Sequence, residues 1–242
     1  MTAFNELICY PNLLPFDPTP DNVEAFMAGL AENGVTHVQI NHLPDLMHPE
    51  QLNQPDNIYL AFANFGPPLD LFVSSSLNRG IWPEMYLERN RRCLLEFASA
   101  ARRHGLKPVM YLCEPRFVSE RLFQRHPELR GPRVDNPTIS VRPLYSLCTD
   151  FPEVKAHYRT MMASLMDLVP DLSMATLFTS DSGAGFDYSG DLYAGPNGAA
   201  FNQSVPLRER VNNFLGLLLE EGRRVVPDFT VNLTSGFSPE ER

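Results

Sequence analysis

No apolar run in this 242-residue chain reaches the ~18 residues that a membrane-spanning helix needs. Residues 1–7 hold no basic segment followed by an apolar one, so no secretory signal is expected. Cysteine is scarce. Cys9, Cys93, Cys113 and Cys148 are scattered, with no CxxC pair, and read as reduced thiols, which points to a cytoplasmic setting. Positive charge is also scarce: 20 Lys and Arg face 29 Asp and Glu, for a net charge of −9, and no basic cluster stands out. Nucleic acid and anionic membrane are therefore excluded as expected partners. There is no GxSxG elbow, phosphate loop or HExxH motif. His37 and His42 are too few to argue zinc, and Asp187 and Asp191 do not fit a calcium loop. No cofactor or metal is expected.

What the chain does have is enough apolar residues, 43%, to form a packed core. It also has 22 prolines without a repeat, which implies long ordered loops. Apolar runs at 7–10, 36–41, 107–113, 174–179 and 229–233 read as strands. Between them, apolar residues recur at helical spacing. The first helix carries Val23, Phe26, Met27 and Leu30, after the start signal Thr19-Pro20-Asp21. The second runs 84–103 and is stopped by His104-Gly105. The third carries Val154, Tyr158, Met161 and Leu165, and the fourth Leu207, Val211, Phe214 and Leu218.

Five strands alternating with four helices imply a parallel sheet with helical crossovers. Every helix-to-strand connection is short, whereas three of the four strand-to-helix connections are long: 42–83, 114–151 and 180–204. One end of the sheet is plain and the other elaborated. That asymmetry predicts an α/β fold of the (β/α)₈ TIM-barrel type, with the active site among the long loops at the strand C-termini. A doubly wound sheet is the alternative. The first strand-to-helix turn, residues 11–19, holds no glycine, which argues against a dinucleotide-binding unit.

On such a fold the residues just after the strands carry function. Asn41 and His42 follow the second strand, Glu114 and Arg116 the third, and Asp181 the fourth; Asn232 ends the fifth. Asn and Arg there suit directional bonds to hydroxyls or a carboxylate, and Asp181 and Glu114 suit acid–base chemistry. Gly183 and Gly185 leave room around Asp181 for a ligand. Asp187 lies in the same loop. Trp82, Tyr86, Tyr188 and Tyr193 offer rings that could stack on a sugar or simply pack their loops. The structural alternatives stay open: Asn41-His42 as a strand end, Glu114 and Arg116 as an ion pair across one turn, Asp181 as a loop cap. Ser74-Ser75-Ser76 reads as a polar loop, having no partnering context in the sequence.

Four blocks in order carry a family likeness. They are 106–116 (LKPVMYLCEPR), 126–131 (HPELRG), Leu147-Cys148 with Pro152-Glu153-Val154, and 179–186 (TSDSGAGF). In order and spacing they resemble TIM-barrel glycoside hydrolases of the α-glucuronidase-like and family 20 β-hexosaminidase-like types, over residues 82–201. Family 20 barrels carry an Asp-Glu pair after the fourth strand, where Asp181 is here followed by Ser182. The resemblance implies a carbohydrate substrate, with Asp181 as the acid or a substrate-binding carboxylate and Arg116 and Asn41 holding the sugar. The wider binding set adds His42, Trp82, Asp187, Tyr188 and Asn232. A sugar isomerase or epimerase and a non-catalytic sugar-binding barrel are the alternative functions.

A closed barrel needs eight strands and about 250 residues. Here the long loops consume the chain and five strands are visible, so residues 1–242 read as one incomplete barrel domain. Its open edges would be completed by a second copy in a homo-oligomer or by a missing C-terminal segment.

Overall fold

The computed structural model describes residues 6–11, 14, 17–43, 66–135, 140, 142–179, 183–187 and 199–235. Five strands form one parallel sheet: β1 (Ile8–Cys9), β2 (His37–Gln39), β3 (Lys107–Cys113), β6 (Met174–Phe178) and β7 (Thr230–Ser235), in spatial order β1-β2-β3-β6-β7. Two further strands, β4 (Arg130–Arg133) and β5 (Tyr145–Leu147), pair antiparallel within the long connection after β3. The helices are α1 (Pro20–Glu32), α2 (Glu84–Arg103), a short α3 (Glu120–Arg125), α4 (Pro152–Leu168) and α5 (Leu207–Arg223).

Local chemistry explains the boundaries. The Thr19 hydroxyl accepts from the Asn22 N–H, and Pro20 fills the first turn of α1, where its missing N–H costs nothing. Helices α1 and α2 give way to Gly34 (φ 78°) and Gly105 (φ 70°), a left-handed conformation open to glycine. The short turns that follow drop the chain into β2 and β3.

The two faces of the sheet differ. Val38, Ile40, Met110, Leu112, Ala175 and Leu177 lie on one face and pack with helix residues such as Met27, Phe97, Leu165 and Leu218 in a single core. Alternation sends Gln39, Val109, Met174 and Thr230 to the other face, aligned by the strand register. Neighbouring positions on that face are Tyr111, Thr176 and Asn232. A doubly wound sheet would bury apolar residues on both faces; a barrel sheet has helices outside only.

The sheet is also curled. The Tyr10 hydroxyl, just after β1, hydrogen-bonds Thr176 on β6, three strands away. Three strand spacings on a flat sheet span about 14 Å, more than a tyrosine side chain can reach. Tyr10 and Tyr111 meet with ring centroids 5.4 Å apart, and Tyr111 and Phe178 at 6.3 Å. The fold is a half-barrel with its helices on the convex side. The expected five parallel strands are present among the described residues. The β4–β5 pair and the buried 3₁₀ turn at Leu69–Leu71 are additions to stretches expected to be irregular. No helix among the described residues is long and apolar enough to cross a membrane.

Candidate functional site

The strand C-termini are covered by loops laced to one another. The chain after β3 turns at Pro115 and runs beside the segment after β6. The Phe117 N–H donates to the Gly183 carbonyl (2.9 Å) and the Gly185 N–H to the Pro115 carbonyl (2.9 Å), while Arg116 and Ala184 form an antiparallel bridge. On its other side the same segment bridges Phe117 to Ser146 of β5, and the Val118 N–H donates to the Tyr145 carbonyl (3.0 Å). The β3 loop therefore lies between the β6 loop and the β4–β5 pair. Gly131 permits that pair to close: a Cβ there would stand 2.6 Å from backbone atoms of Leu147 and Cys148.

Glu114 is the hub of this arrangement and is 4% exposed. One carboxylate oxygen accepts from the Leu69 N–H (3.0 Å). The other accepts from the Arg116 N–H (3.1 Å) and the Tyr158 hydroxyl (3.0 Å). Burial pushes its carboxyl up to about 7, against the three donors, which pull the other way. One side chain so ties together the plug 66–73, the β3 loop and α4. The Arg116 guanidinium is buried and lies over the Phe117 ring at 4.5 Å. Burial lowers its pKa, with nearby acidic groups including Asp70 and Glu114 opposing.

The predicted binding residues separate in the structure. Asn41 is buried and its amide is engaged with the backbone of Tyr111 and Pro67. Its amide Nδ2 donates to the Tyr111 carbonyl (2.7 Å) and its Oδ1 accepts from the Tyr111 N–H (3.1 Å). The side chain thus imitates a peptide unit and adds one rung to the β2–β3 ladder. Asn41→Ala removes both of these hydrogen bonds, at about 1 kcal/mol each an expected loss of about 2 kcal/mol in urea unfolding. His42, its neighbour in extended backbone, points the opposite way. Its ring packs on Phe97 of α2 with centroids 5.2 Å apart, and burial pulls its pKa down to about 4. Its ring packs against the helix layer.

Trp82 is buried, donates from Nε1 to Asp70 Oδ2 (3.1 Å) and stacks on Tyr86. Asn232 sits in mid-strand opposite Thr176, because β7 runs two residues beyond the expected end at Leu233. Asp187 is 2% exposed and held in a polar cluster. Asn202 Nδ2 donates to both Asp187 Oδ2 (2.8 Å) and Asp150 Oδ2 (2.7 Å), and Arg210 donates to the Asp187 carbonyl (2.6 Å). Burial raises the Asp187 carboxyl. Asn202, Asp150 and Arg210 were not foreseen, since no spacing in the sequence links positions 52 residues apart. Asp181 and Tyr188 lie outside the described residues. The described residues that bracket this stretch are Thr179, which is buried, and Gly183, which takes φ 82° while its carbonyl accepts from the Phe117 N–H. No group of three His, Cys, Asp or Glu suited to a metal occurs among the described residues.

No family model and no curated protein sequence matches the chain. Solved structures do. A GH138 enzyme targeting pectin rhamnogalacturonan II superposes with a TM-score of 0.50 at 11% identity, over 88% of this chain and 19% of that one. The galactosidase domain of an α-galactosidase–sucrose kinase gives 0.49 at 18% identity, over 91% of this chain and 25% of that one. GH5_18 from Streptomyces cattleya in complex with GlcNAc gives 0.42 at 16% identity, over 90% and 40%. This chain spans less than half the length of each. The likeness to the GH138 enzyme is one of fold: the half-barrel is of the kind found in a glycoside hydrolase.

Proposed function

We propose that this chain is part of a glycoside hydrolase-like barrel that binds and hydrolyses a glycoside at the strand C-termini. The observation that carries the reading is the lacing of the β3 and β6 loops over those ends of a helix-backed, curled parallel sheet. That is where barrel enzymes place their chemistry. The likeness of fold to a GH138 enzyme supports it. The finer kinship, α-glucuronidase-like or family 20-like, rests on the residue blocks quoted above.

In this reading Asp181 protonates the leaving oxygen of the glycosidic bond. Glu114, whose oxygens are taken by three protein donors, acts through the backbone it holds and sets the path of the β3 loop. Arg116 and Asp187 shape the sugar site from the two laced loops, and Tyr188 stacks on the sugar. A glycosidase of either stereochemistry needs a second carboxyl group, about 5–5.5 Å away for retention or about 6.5–9.5 Å for inversion. That group comes from strands added at the β7 edge, by further chain or by a second copy. The edge is suited to addition: Asn232, Leu233 and Thr234 are exposed along it. The setting proposed is cytoplasmic and the partner a carbohydrate, with no cofactor. The test is turnover of a panel of aryl glycosides and oligosaccharides by the intact protein and its Asp181→Asn variant. Hydrolysis lost with sugar binding kept supports the reading. Binding without turnover in the parent protein turns it into a sugar-binding module.

A further inference from the structure

Ser75, in the connection after β2, and His157, in α4, are 82 residues apart in sequence and in contact in the fold. The Ser75 hydroxyl lies 2.7 Å from His157 Nδ1. Both side chains are buried from bulk water but line one cavity of about 420 Å³ on the convex flank. Burial pulls the His157 ring down to about 4. At neutral pH it is therefore uncharged, and in the tautomer that carries its proton on Nε2 the Ser75 hydroxyl donates to Nδ1. The Ser75 oxygen also accepts from the Leu77 N–H (3.0 Å). In that tautomer the hydroxyl proton points at the imidazole. Glu153 lines the same cavity and precedes His157 by one helical turn, on the same helix face. Ser76 also lines it, and its N–H has no partner among the described residues. The N–H that follows a nucleophilic serine is a common oxyanion donor.

A serine that only closes a turn needs the Leu77 N–H and nothing more. It does not need a desolvated imidazole facing a cavity. Nucleophile, base and carboxylate, at hydrogen-bond distance for the first two, are the parts of an acyl-transfer site.

We propose that Ser75 and His157 form a second catalytic site, separate from the sugar site, that cleaves small acyl esters. Ser75 Oγ bonds to the acyl carbon as its proton passes to His157 Nδ1. The acyl C–O bond then breaks, and the alcohol leaves with that proton. Water adds to the acyl-serine, giving a proton to Nδ1. The carboxylic acid departs as Ser75 regains its hydrogen. No oxidant, metal or further reactant enters. The site does not depend on the glycosidase reading and stands or falls alone.

The experiment is covalent labelling of the intact protein with a fluorophosphonate, with the modified residue located by tandem mass spectrometry and p-nitrophenyl acetate turnover followed in parallel. The expected result is one adduct, on Ser75, absent in Ser75→Ala. In His157→Gln, which keeps an acceptor but cannot take up a proton, labelling slows at least about tenfold. If that variant fails to fold, the pH profile of the parent protein decides the base: labelling level from pH 6 to 9, as an already neutral base requires. An unlabelled protein, an adduct elsewhere, undiminished labelling of a folded His157→Gln, or a rate climbing through pH 7–8 overturns the proposal.

Discussion

Glu114→Ala is expected to cost about 3 kcal/mol of stability at pH 8 and about twice that at pH 5. Three donors, the N–H groups of Leu69 and Arg116 and the Tyr158 hydroxyl, lose their acceptor in a buried site. At about 2 kcal/mol each they cost about 6 kcal/mol. Against this, the parent protein carries the cost of a desolvated carboxylate above pH 7, which the variant does not. The folded Glu114 titrates at about 7 and the ordinary value is 4.5. Each unit is worth about 1.4 kcal/mol, so that cost is on the order of 3 kcal/mol and offsets half the loss.

The sign follows from proton binding. Between about pH 4.5 and 7 the folded chain holds a proton on Glu114 that the unfolded chain has released. Stability from this group is full below pH 4.5, falls as pH rises to about 7 and is level above. When Glu114 is protonated, the Tyr158 hydroxyl can reverse and accept. Urea unfolding at pH 5 and pH 8 reads both numbers. Equal losses at the two pH values would mean that Glu114 keeps an ordinary carboxylate pKa.

The second large effect follows from the proposed glycosidase reading and is on turnover. Asp181→Asn keeps size and polarity but has no proton to give. General acid catalysis contributes about 10²–10⁴-fold, so kcat for a glycoside with a poor leaving group is expected to drop by that factor. Oligosaccharide affinity should change only a few-fold. An aryl glycoside with a good leaving group needs less protonation and should suffer less, which separates loss of the acid from a general collapse of the site. Equal losses for both substrates would point to collapse, and unchanged kcat would remove Asp181 from the reaction.

Much of the scaffold was legible because its signals are local. The run KPVMYLC gave β3 at Lys107–Cys113, and the apolar spacing with the His104-Gly105 stop gave α2 at Glu84–Arg103. The contrast of short and long connections located the elaborated end of the sheet. The β4–β5 pair was hidden because RGPR holds Gly131 and Pro132, which read as loop, and because its partner YSL lies beyond a long connection. The plug 66–73 was hidden for another reason. Positions 69, 72 and 73 fit a helical spacing and 69, 71 and 73 a strand spacing, so the cluster specifies neither element, yet Leu69, Leu71, Phe72 and Val73 are all buried.

Site roles were harder. Position after a strand marks a residue as near the mouth, but it does not say which way a side chain turns. Asn41 turns back to the ladder and His42 to the helices, from consecutive positions. Glu114 was picked for its charge, and its three donors come from residues 45, 2 and 44 positions away. Ser75 looked inert because its histidine is 82 residues distant. Contacts of this kind are products of the fold and leave no periodic trace in the chain.

The most direct test of a sugar site at the laced loops is a crystal structure of the Asp181→Asn protein soaked with an oligosaccharide. The prediction is a sugar ring over the C-terminal ends of β3 and β6, with its glycosidic oxygen within hydrogen-bond reach of residue 181. A sugar bound at the opposite end of the sheet, in the cavity of about 710 Å³ lined by His37, Lys107 and Asp228, would contradict it, as would loops left empty at saturating ligand.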